Sequence, residues 1–327
     1  MALALAIHGG AGTILRSQMT PDLEREYRGG LETALKAGWA ILESGGSSLD
    51  AVERAVISLE DFPLFNAGRG SVFTHVGEQE MDAAIMDGHN LKAGAVAFVK
   101  NIKNPVSLAR LVMERTEHVL LAGEGANQFA EQIGVKTEPE EYFFTEHRWL
   151  QLQEAIAAGR VQLDHASEVE ETGRERDGES EPGATATRFP KPIGTVGAVA
   201  CDSNGFLAAA TSTGGMTNKK FGRIGDTAII GSGTYADQTC AVSCTGHGEY
   251  FMLGVTAYDV AARMKYKGLS LEAAARETIE RLTEIKGDGG LIAVDAQGNV
   301  TLPFNCEGMY RGCIRSDGSS EIQIYRT

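Results

Sequence analysis

The chain of 327 residues has no run of 18 apolar residues, so nothing in it reads as a transmembrane helix. It has no surplus of positive charge either. Thirty Lys and Arg stand against 44 Asp and Glu, a formal net charge of −14. Nucleic acid or an anionic membrane would favour a basic patch, so both are poor partners for it. The opening MALALAIHGGAG is apolar but lacks a charged leader and is too short for a signal peptide. It reads as a buried first strand, and a cytoplasmic location is expected. There is no CxxC pair. The five cysteines (Cys201, Cys240, Cys244, Cys306 and Cys313) are odd in number, which argues for free thiols in a reducing compartment. None of the seven histidines stands at metal-ligand spacing from a cysteine or another histidine, which argues against zinc. The stretch His8-Gly9-Gly10-Ala11-Gly12 follows a strand but lacks both GxGxxG spacing and the Walker Lys-Ser/Thr, so nucleotide binding is weakly supported.

Glycine is abundant. Forty Gly against eight Pro point to a turn-rich fold with close backbone approaches, and 43% hydrophobic content suffices for one large or two ordinary domains. Periodicity and turn signals predict a strand at 2–8, helices near 21–44 and 48–60, and strands near 70–74, 81–87 and 93–99. Helices follow near 105–115, 124–132 and 146–158, with a short strand at 119–121. Ser47 or Ser48 is a candidate cap for the second helix. After residue 194 the pattern is a hairpin, 195–202 and 206–213, around Asp202-Ser203-Asn204-Gly205. Strands are expected near 228–230, 241–245, 290–294, 300–303, 309–314 and 321–325, and helices over 248–264 and 270–285. Runs of strands and of helices, without βα alternation, predict a layered α+β fold.

The junction ahead of the hairpin carries the chemistry. Residues 164–191 are acidic and nearly devoid of large apolar side chains, a composition that cannot offset its ordering entropy. A disordered tail over 165–191 is expected. Directly after it stands Ile193-Gly194-Thr195-Val196-Gly197. Cutting between Gly194 and Thr195 would set the Thr195 hydroxyl beside its own new α-amino group. Such an amine has a reference pKa of about 7.7–8.0 and serves as the base that a threonine nucleophile needs. A plain linker followed by an ordinary strand residue is the alternative.

Further candidates lie downstream. Thr213 ends the second hairpin strand, within reach of Thr195. Gly222-Arg223-Ile224-Gly225-Asp226 offers a clamp for a zwitterion, Arg223 for a carboxylate and Asp226 for an ammonium. Its alternative is a surface turn with a weak ion pair. In Ser243-Cys244-Thr245-Gly246-His247-Gly248-Glu249 the Thr245 hydroxyl and Gly246 N–H suit an oxyanion hole, or the segment is a helix-capping turn. Leu64-Phe65-Asn66-Ala67-Gly68-Arg69-Gly70 reads as an irregular loop after a helix, either a plain structural turn or one whose backbone carbonyls hold a hard cation.

Together, IHGGAG at 7–12, PLFNAG at 63–68, MDGHNLKAGAV at 86–96, NPVSLARLVME at 104–114, GTVGAVA at 194–200, TSTGGMTNK at 211–219, GRIGD at 222–226, SCTGHGE at 243–249 and PFNCEGMYR at 303–311 run through nearly the whole chain. In these the chain resembles the plant-type L-asparaginase / isoaspartyl aminopeptidase family of N-terminal-nucleophile hydrolases. The resemblance implies a four-layer αββα sandwich and autoproteolysis between Gly194 and Thr195. An α chain (1–194) and a β chain (195–327) would result, pairing as a dimer of αβ units. It implies Thr195 as nucleophile, Thr213 and Thr245 as hydroxyl partners, Gly246 as oxyanion donor and Asn66 near the oxyanion. Substrate binding falls to Arg223, Gly225, Asp226, Thr245, Gly246 and Gly248. A structural sodium ion is implied on main-chain oxygens of Leu59, Glu60, Phe62, Phe65, Ala67 and Arg69, and no organic cofactor is needed. The implied substrates are asparagine and β-aspartyl dipeptides. A glycosylasparaginase-like amidase and an uncleaved amino-acid-binding protein remain as alternatives.

Overall fold

The computed structural model describes residues 2–159, 161 and 194–326. The predicted tail over 165–191 therefore lies outside the described residues. Strands β1 (Ala4–Gly12), β2 (Met81–Asp87), β3 (Lys92–Val99) and β4 (Leu120–Ala122) come before that gap, with helices α1 (Pro21–Glu43), α2 (Ser48–Glu60), α3 (Pro105–Arg115), α4 (Gly123–Gln132), α5 (Glu140–Phe143) and α6 (Glu146–Ala157). Strands β5 (Val196–Cys201), β6 (Leu207–Thr213), β7 (Thr234–Ala236) and β8 (Cys240–Gly246) follow it. Helices α7 (Gly248–Gly254), α8 (Thr256–Lys267) and α9 (Leu271–Glu284) come next, then β9 (Gly289–Asp295), β10 (Val300–Thr301), β11 (Gly308–Arg315) and β12 (Ser320–Tyr325). The fold is α+β.

The strands form two sheets. The larger has the order β12-β11-β1-β5-β6-β2-β3-β4 and the smaller β10-β9-β8-β7. All pairs are antiparallel except β3 with β4. The hairpin β5–β6 sits between β1 and β2, so strands from both sides of the gap alternate at the middle of one sheet.

Alternation explains the apolar run that opens the chain. Leu5 and Ile7 point into one cluster with Leu31 and Leu35 of α1 and Val52 and Val56 of α2. Ala4 and Ala6 point the other way, into a cluster with Ala241 of β8 and Ile292 and Val294 of β9. A strand covered on both faces has no polar side to show, and so reads as continuous hydrophobic sequence. Alanines, among them Ala4, Ala6, Ala209 and Ala241, share this layer with larger residues such as Met86, Leu207 and Met309. A third cluster joins Cys240, Val242 and Leu291 of the smaller sheet to Val260 of α8 and Ile279 and Leu282 of α9.

Local signals set most boundaries. Thr20 caps α1 by accepting from Leu23 N, ahead of Pro21 at the first helical position. Ser47, not Ser48, caps α2. The turn between β5 and β6 is held by Asp202. Its Oδ1 accepts from Asn204 N at 2.8 Å and Phe206 N at 3.2 Å, and its Oδ2 accepts from Ser48 N, the first residue of α2, at 3.1 Å. One carboxylate thus fixes the hairpin and docks a helix on it.

Three predicted elements are corrected. The strand near 70–74 is a 3-10 turn, Gly68–Gly70, followed by irregular chain; Val72 N donates to the Asn66 side chain and His75 N to Lys219 O, so no ladder forms. The strand near 228–230 is a run of turns in which Ile229 N and Gly233 N both donate to Asp226 O, and the strand falls later, as β7. The helix over 248–264 breaks at Val255, whose φ of 48° is left-handed. Ala257 N and Tyr258 N, in the first turn of α8, donate to Ser232 O and Gly231 O. A tertiary contact thus ends one helix and starts the next.

Asp202→Ala should lower unfolding stability by about 2–3 kcal/mol, since it strips an acceptor from N–H groups in both the turn and α2. Urea denaturation of both proteins measures it; an unchanged midpoint would show that water replaces the carboxylate.

Candidate active site

The hairpin register places the first pair of site residues. Val196 of β5 faces Ser212 of β6, so the register carried one step outward sets Thr195 against Thr213. The Thr195 hydroxyl donates to the Thr213 hydroxyl at 3.1 Å, and Gly215 N donates to the same Thr213 oxygen at 3.0 Å. Thr195 stands just before β5 and not within it, and it is 8% exposed. A cleft of about 20 Å³ lies beside it, lined by Gly194, Thr195, Thr213, Gly215, Met216, Arg223, Gly225, Asp226, Thr227 and Gly246. That volume holds roughly one water molecule. A larger cavity, near 1150 Å³, lies between α9 and the β11–β12 end of the sheet, but it contains none of the expected site residues.

Arg223 and Asp226 both line the cleft, but not as a surface ion pair. Asp226 is buried, and among the described residues its Oδ2 has no hydrogen-bond partner. Burial pushes its carboxyl pKa up to about 7, with Arg223 pulling only partly against it. The Arg223 fork is engaged by Glu249, Nε to Oε1 at 2.8 Å and Nη2 to Oε2 at 2.9 Å. Burial opposes the Glu249 charge, and the Arg223 bonds outweigh it and hold the carboxyl below its ordinary value. Two of the five guanidinium N–H bonds are used there, which leaves the Nη1–Nη2 edge for another anion. Gly248 lies against both groups. A Cβ there would stand 2.8 Å from Asp226 Oδ1 and 2.9 Å from Arg223 Nη2.

Thr245 is on β8, buried behind the cleft, with Gly246 at its edge. Thr245 Oγ1 accepts from Ala11 N at 3.3 Å, so its own proton is still available to donate. It does not cap α7, whose N-cap is His247. Asn66 braces the chain after β6: its Nδ2 donates to Gly215 O at 2.8 Å and its Oδ1 accepts from Val72 N at 3.0 Å. Leu59 and Glu60 are the last two residues of α2, and Phe62, Phe65, Ala67 and Arg69 lie in the tight loop after it. There Leu59 O accepts from Phe62 N, Phe65 O from Ala67 N and Ala67 O from Gly70 N. Glu60 also turns its side chain into the core, where Oε1 accepts from Ser212 Oγ at 2.7 Å and Val106 N at 3.0 Å and Oε2 has no hydrogen-bond partner among the described residues.

Sequence reasoning missed several residues around the site. Glu249 closes the Arg223 fork, and His8, Thr211, Thr234 and Ser243 form a polar layer behind Thr195. The signal that was available is period two. Thr211 and Thr213 share a face of β6, as Ser243 and Thr245 share a face of β8.

A family model described as "Asparaginase" matches residues 1–324. Among curated proteins, an isoaspartyl peptidase of Salmonella typhimurium is 50% identical over 98% of this chain and 98% of its own length. One from Escherichia coli is 49% identical over 98% and 96%. A plant-type L-asparaginase of Pyrococcus abyssi is 44% identical over 94% of each chain.

The buried acid Glu60 generates a pH prediction. Burial raises its pKa from 4.5 to about 8, against the pull of its Ser212 and Val106 hydrogen bonds. Between those values the folded state keeps a proton that the unfolded state releases, so stability falls as pH rises through that window. Glu60→Gln should remove this part of the decline, seen as a flatter melting temperature between about pH 5 and pH 8.5. Parallel curves for the two proteins would mean Glu60 is ionised in the fold.

Proposed function

This chain belongs to the asparaginase family, and from that footing we propose that it hydrolyses the side-chain amide of asparagine and the β-aspartyl bond of isoaspartyl dipeptides through an ester on Thr195. The observation that carries the reading is the constellation in one cleft: a threonine hydroxyl held by a second hydroxyl, with a buried carboxylate and an arginine edge beside it.

The chain first cuts itself. The Thr195 hydroxyl adds to the Gly194 carbonyl, the acyl group moves from nitrogen to oxygen, and water hydrolyses the resulting ester. Gly194 lines the small cleft in the uncut chain, which supports its removal as the step that opens the site. The freed Thr195 amine then takes the hydroxyl proton, directly or through water, and the oxygen attacks the substrate's side-chain carbonyl. Charge on the tetrahedral oxygen falls to the Thr245 hydroxyl and the Gly246 N–H. The amine returns its proton to the leaving nitrogen, ammonia or an amino acid departs, and water releases aspartate from the ester. Arg223 takes the substrate α-carboxylate on its open edge. Asp226 takes the α-ammonium, a partner that would satisfy its orphan oxygen.

The donor set after α2 fits a sodium ion. Its oxygens are hard carbonyls at the negative end of a helix, each with a second lone pair. Gly68 closes a cradle there: a Cβ on it would stand 2.6 Å from Glu60 O. Main-chain oxygens of Leu59, Glu60, Phe62, Phe65, Ala67 and Arg69 would hold the ion, and its part is to stiffen the loop that carries Asn66. No organic cofactor enters the chemistry. The layers are read as an αββα stack, supported by the three separate clusters, with dimers of αβ units as the working assembly. Five free cysteines, all buried, fit a cytoplasmic setting. Among the described residues no helix is long and apolar enough to cross a membrane.

Thr195→Ala should stay a single uncut chain on a denaturing gel and hydrolyse neither substrate. Fragments beginning at residue 195 in that variant would rule this threonine out. Arg223→Lys keeps the charge and loses the fork, a change worth about 1.5–3 kcal/mol, so kcat/KM on asparagine should fall roughly 10- to 150-fold. An amide lacking the α-carboxylate should be little affected; equal losses on both substrates would make Arg223 a structural residue.

A further inference from the structure

A chain of buried neutral groups ends on the Thr195 main chain. His8 lies on β1 in register with Gly197 of β5 and is fully buried. Its Nδ1 is 3.0 Å from the Thr195 carbonyl oxygen and its Nε2 is 2.8 Å from Ser243 Oγ. Ser243 Oγ is 2.7 Å from Thr211 Oγ1, and Thr234 Oγ1 is 2.7 Å beyond that. The chain crosses from the larger sheet to the smaller and back, tying β1, β6, β7 and β8 to one backbone atom.

Its direction follows from donor chemistry. A carbonyl only accepts, so Nδ1 carries the proton. Burial holds the ring neutral, with its pKa pushed down to about 3, and Nε2 keeps a bare lone pair. Ser243 must donate to that lone pair and therefore accepts from Thr211. Thr211 in turn accepts from Thr234, the shorter of two contacts open to the Thr234 proton; the other is Thr227 O at 3.2 Å. Gly197 is what leaves room: a Cβ there would overlap Ser243 Oγ and His8 Nε2.

We propose that His8 is a positioning residue for the nucleophile: locked in its Nδ1–H form by Ser243, Thr211 and Thr234, it clamps the Thr195 carbonyl and so fixes the rotation that aims the Thr195 hydroxyl. The inference rests on Thr195 being the nucleophile. Its physical force comes from the cut. Once the bond to Gly194 is gone, Thr195 has no covalent anchor on its amino side and stands outside the β5 ladder. The His8 bond then holds the residue from its carbonyl side.

Misplacing a nucleophile by about 1 Å costs on the order of 100-fold in rate. His8→Ala should therefore lower kcat by roughly that factor on asparagine and on β-aspartyl-leucine alike, with KM changed by less than about threefold. His8→Asn, whose amide N–H replaces the donor, should recover most of the loss. Nitrogen NMR of the parent, ¹⁵N-labelled at histidine, should show His8 with a protonated Nδ1 and a bare Nε2 at neutral pH. A bare Nδ1, a doubly protonated ring, an unchanged kcat in folded His8→Ala, or a loss confined to KM would each overturn the proposal. If His8→Ala does not fold, the parent spectrum and the kinetics of Ser243→Ala decide, the latter expected to lose roughly tenfold in kcat. If the parent hydrolyses neither substrate, the assigned reaction is wrong, and the ring spectrum still decides the clamp.

Discussion

The pairing of β1 with β5 is the constraint on which the rest of the molecule depends. It inserts the hairpin that follows residue 194 into the middle of a sheet begun by the first strand of the chain. That insertion sets His8 beside Gly197 and Thr195 beside Thr213, and it turns Thr211 toward the smaller sheet, where Ser243 meets it. Hydroxyls from two sheets converge where their strands pack face to face, and small side chains such as Ala6 and Ala209 lie in that layer. A larger residue at Ala6 or Ala209 would push apart the groups that make the site.

The polar interior is expensive, and the expense is concentrated. Glu60, Asp82 and Asp226 each keep a buried carboxylate oxygen with no hydrogen-bond partner among the described residues, and burial raises the pKa of all three. Asp226 lies in the cleft, Asp82 pairs with Thr213 across β2 and β6, and Glu60 bonds Ser212 on the other face of the same strand. An arrangement that served stability alone would pair or remove such groups.

Much of this was legible in the sequence where the information is local. Thr20-Pro21 and Ser47 announce two helices, and Asn-Gly after Asp202 announces the hairpin whose register delivers Thr213 to Thr195. The Gly-Thr junction, GRIGD and the Thr245-Gly246 pair can also be picked out locally, and one cleft brings residues of all three together. What escaped is set by tertiary contacts. Val255 breaks a helix because Ser232 O and Gly231 O take the next N–H groups, and residues 226–233 turn because their amides converge on Asp226 O. Glu249 is 26 residues from Arg223, and His8 is 187 from Thr195. No window of sequence shows such pairs, and a lone histidine in an apolar strand gives no hint of its partner.

The burial of Thr195 has a consequence for how the protein would be handled in a cell. A new α-amino group at this position would arise inside a folded molecule, at the centre of a sheet, on a residue only 8% exposed. Enzymes that trim or acylate ordinary chain termini need an extended, accessible end. Such an amine would be shielded from them from the moment it formed, so the base proposed for the reaction would be protected by the same fold that makes it.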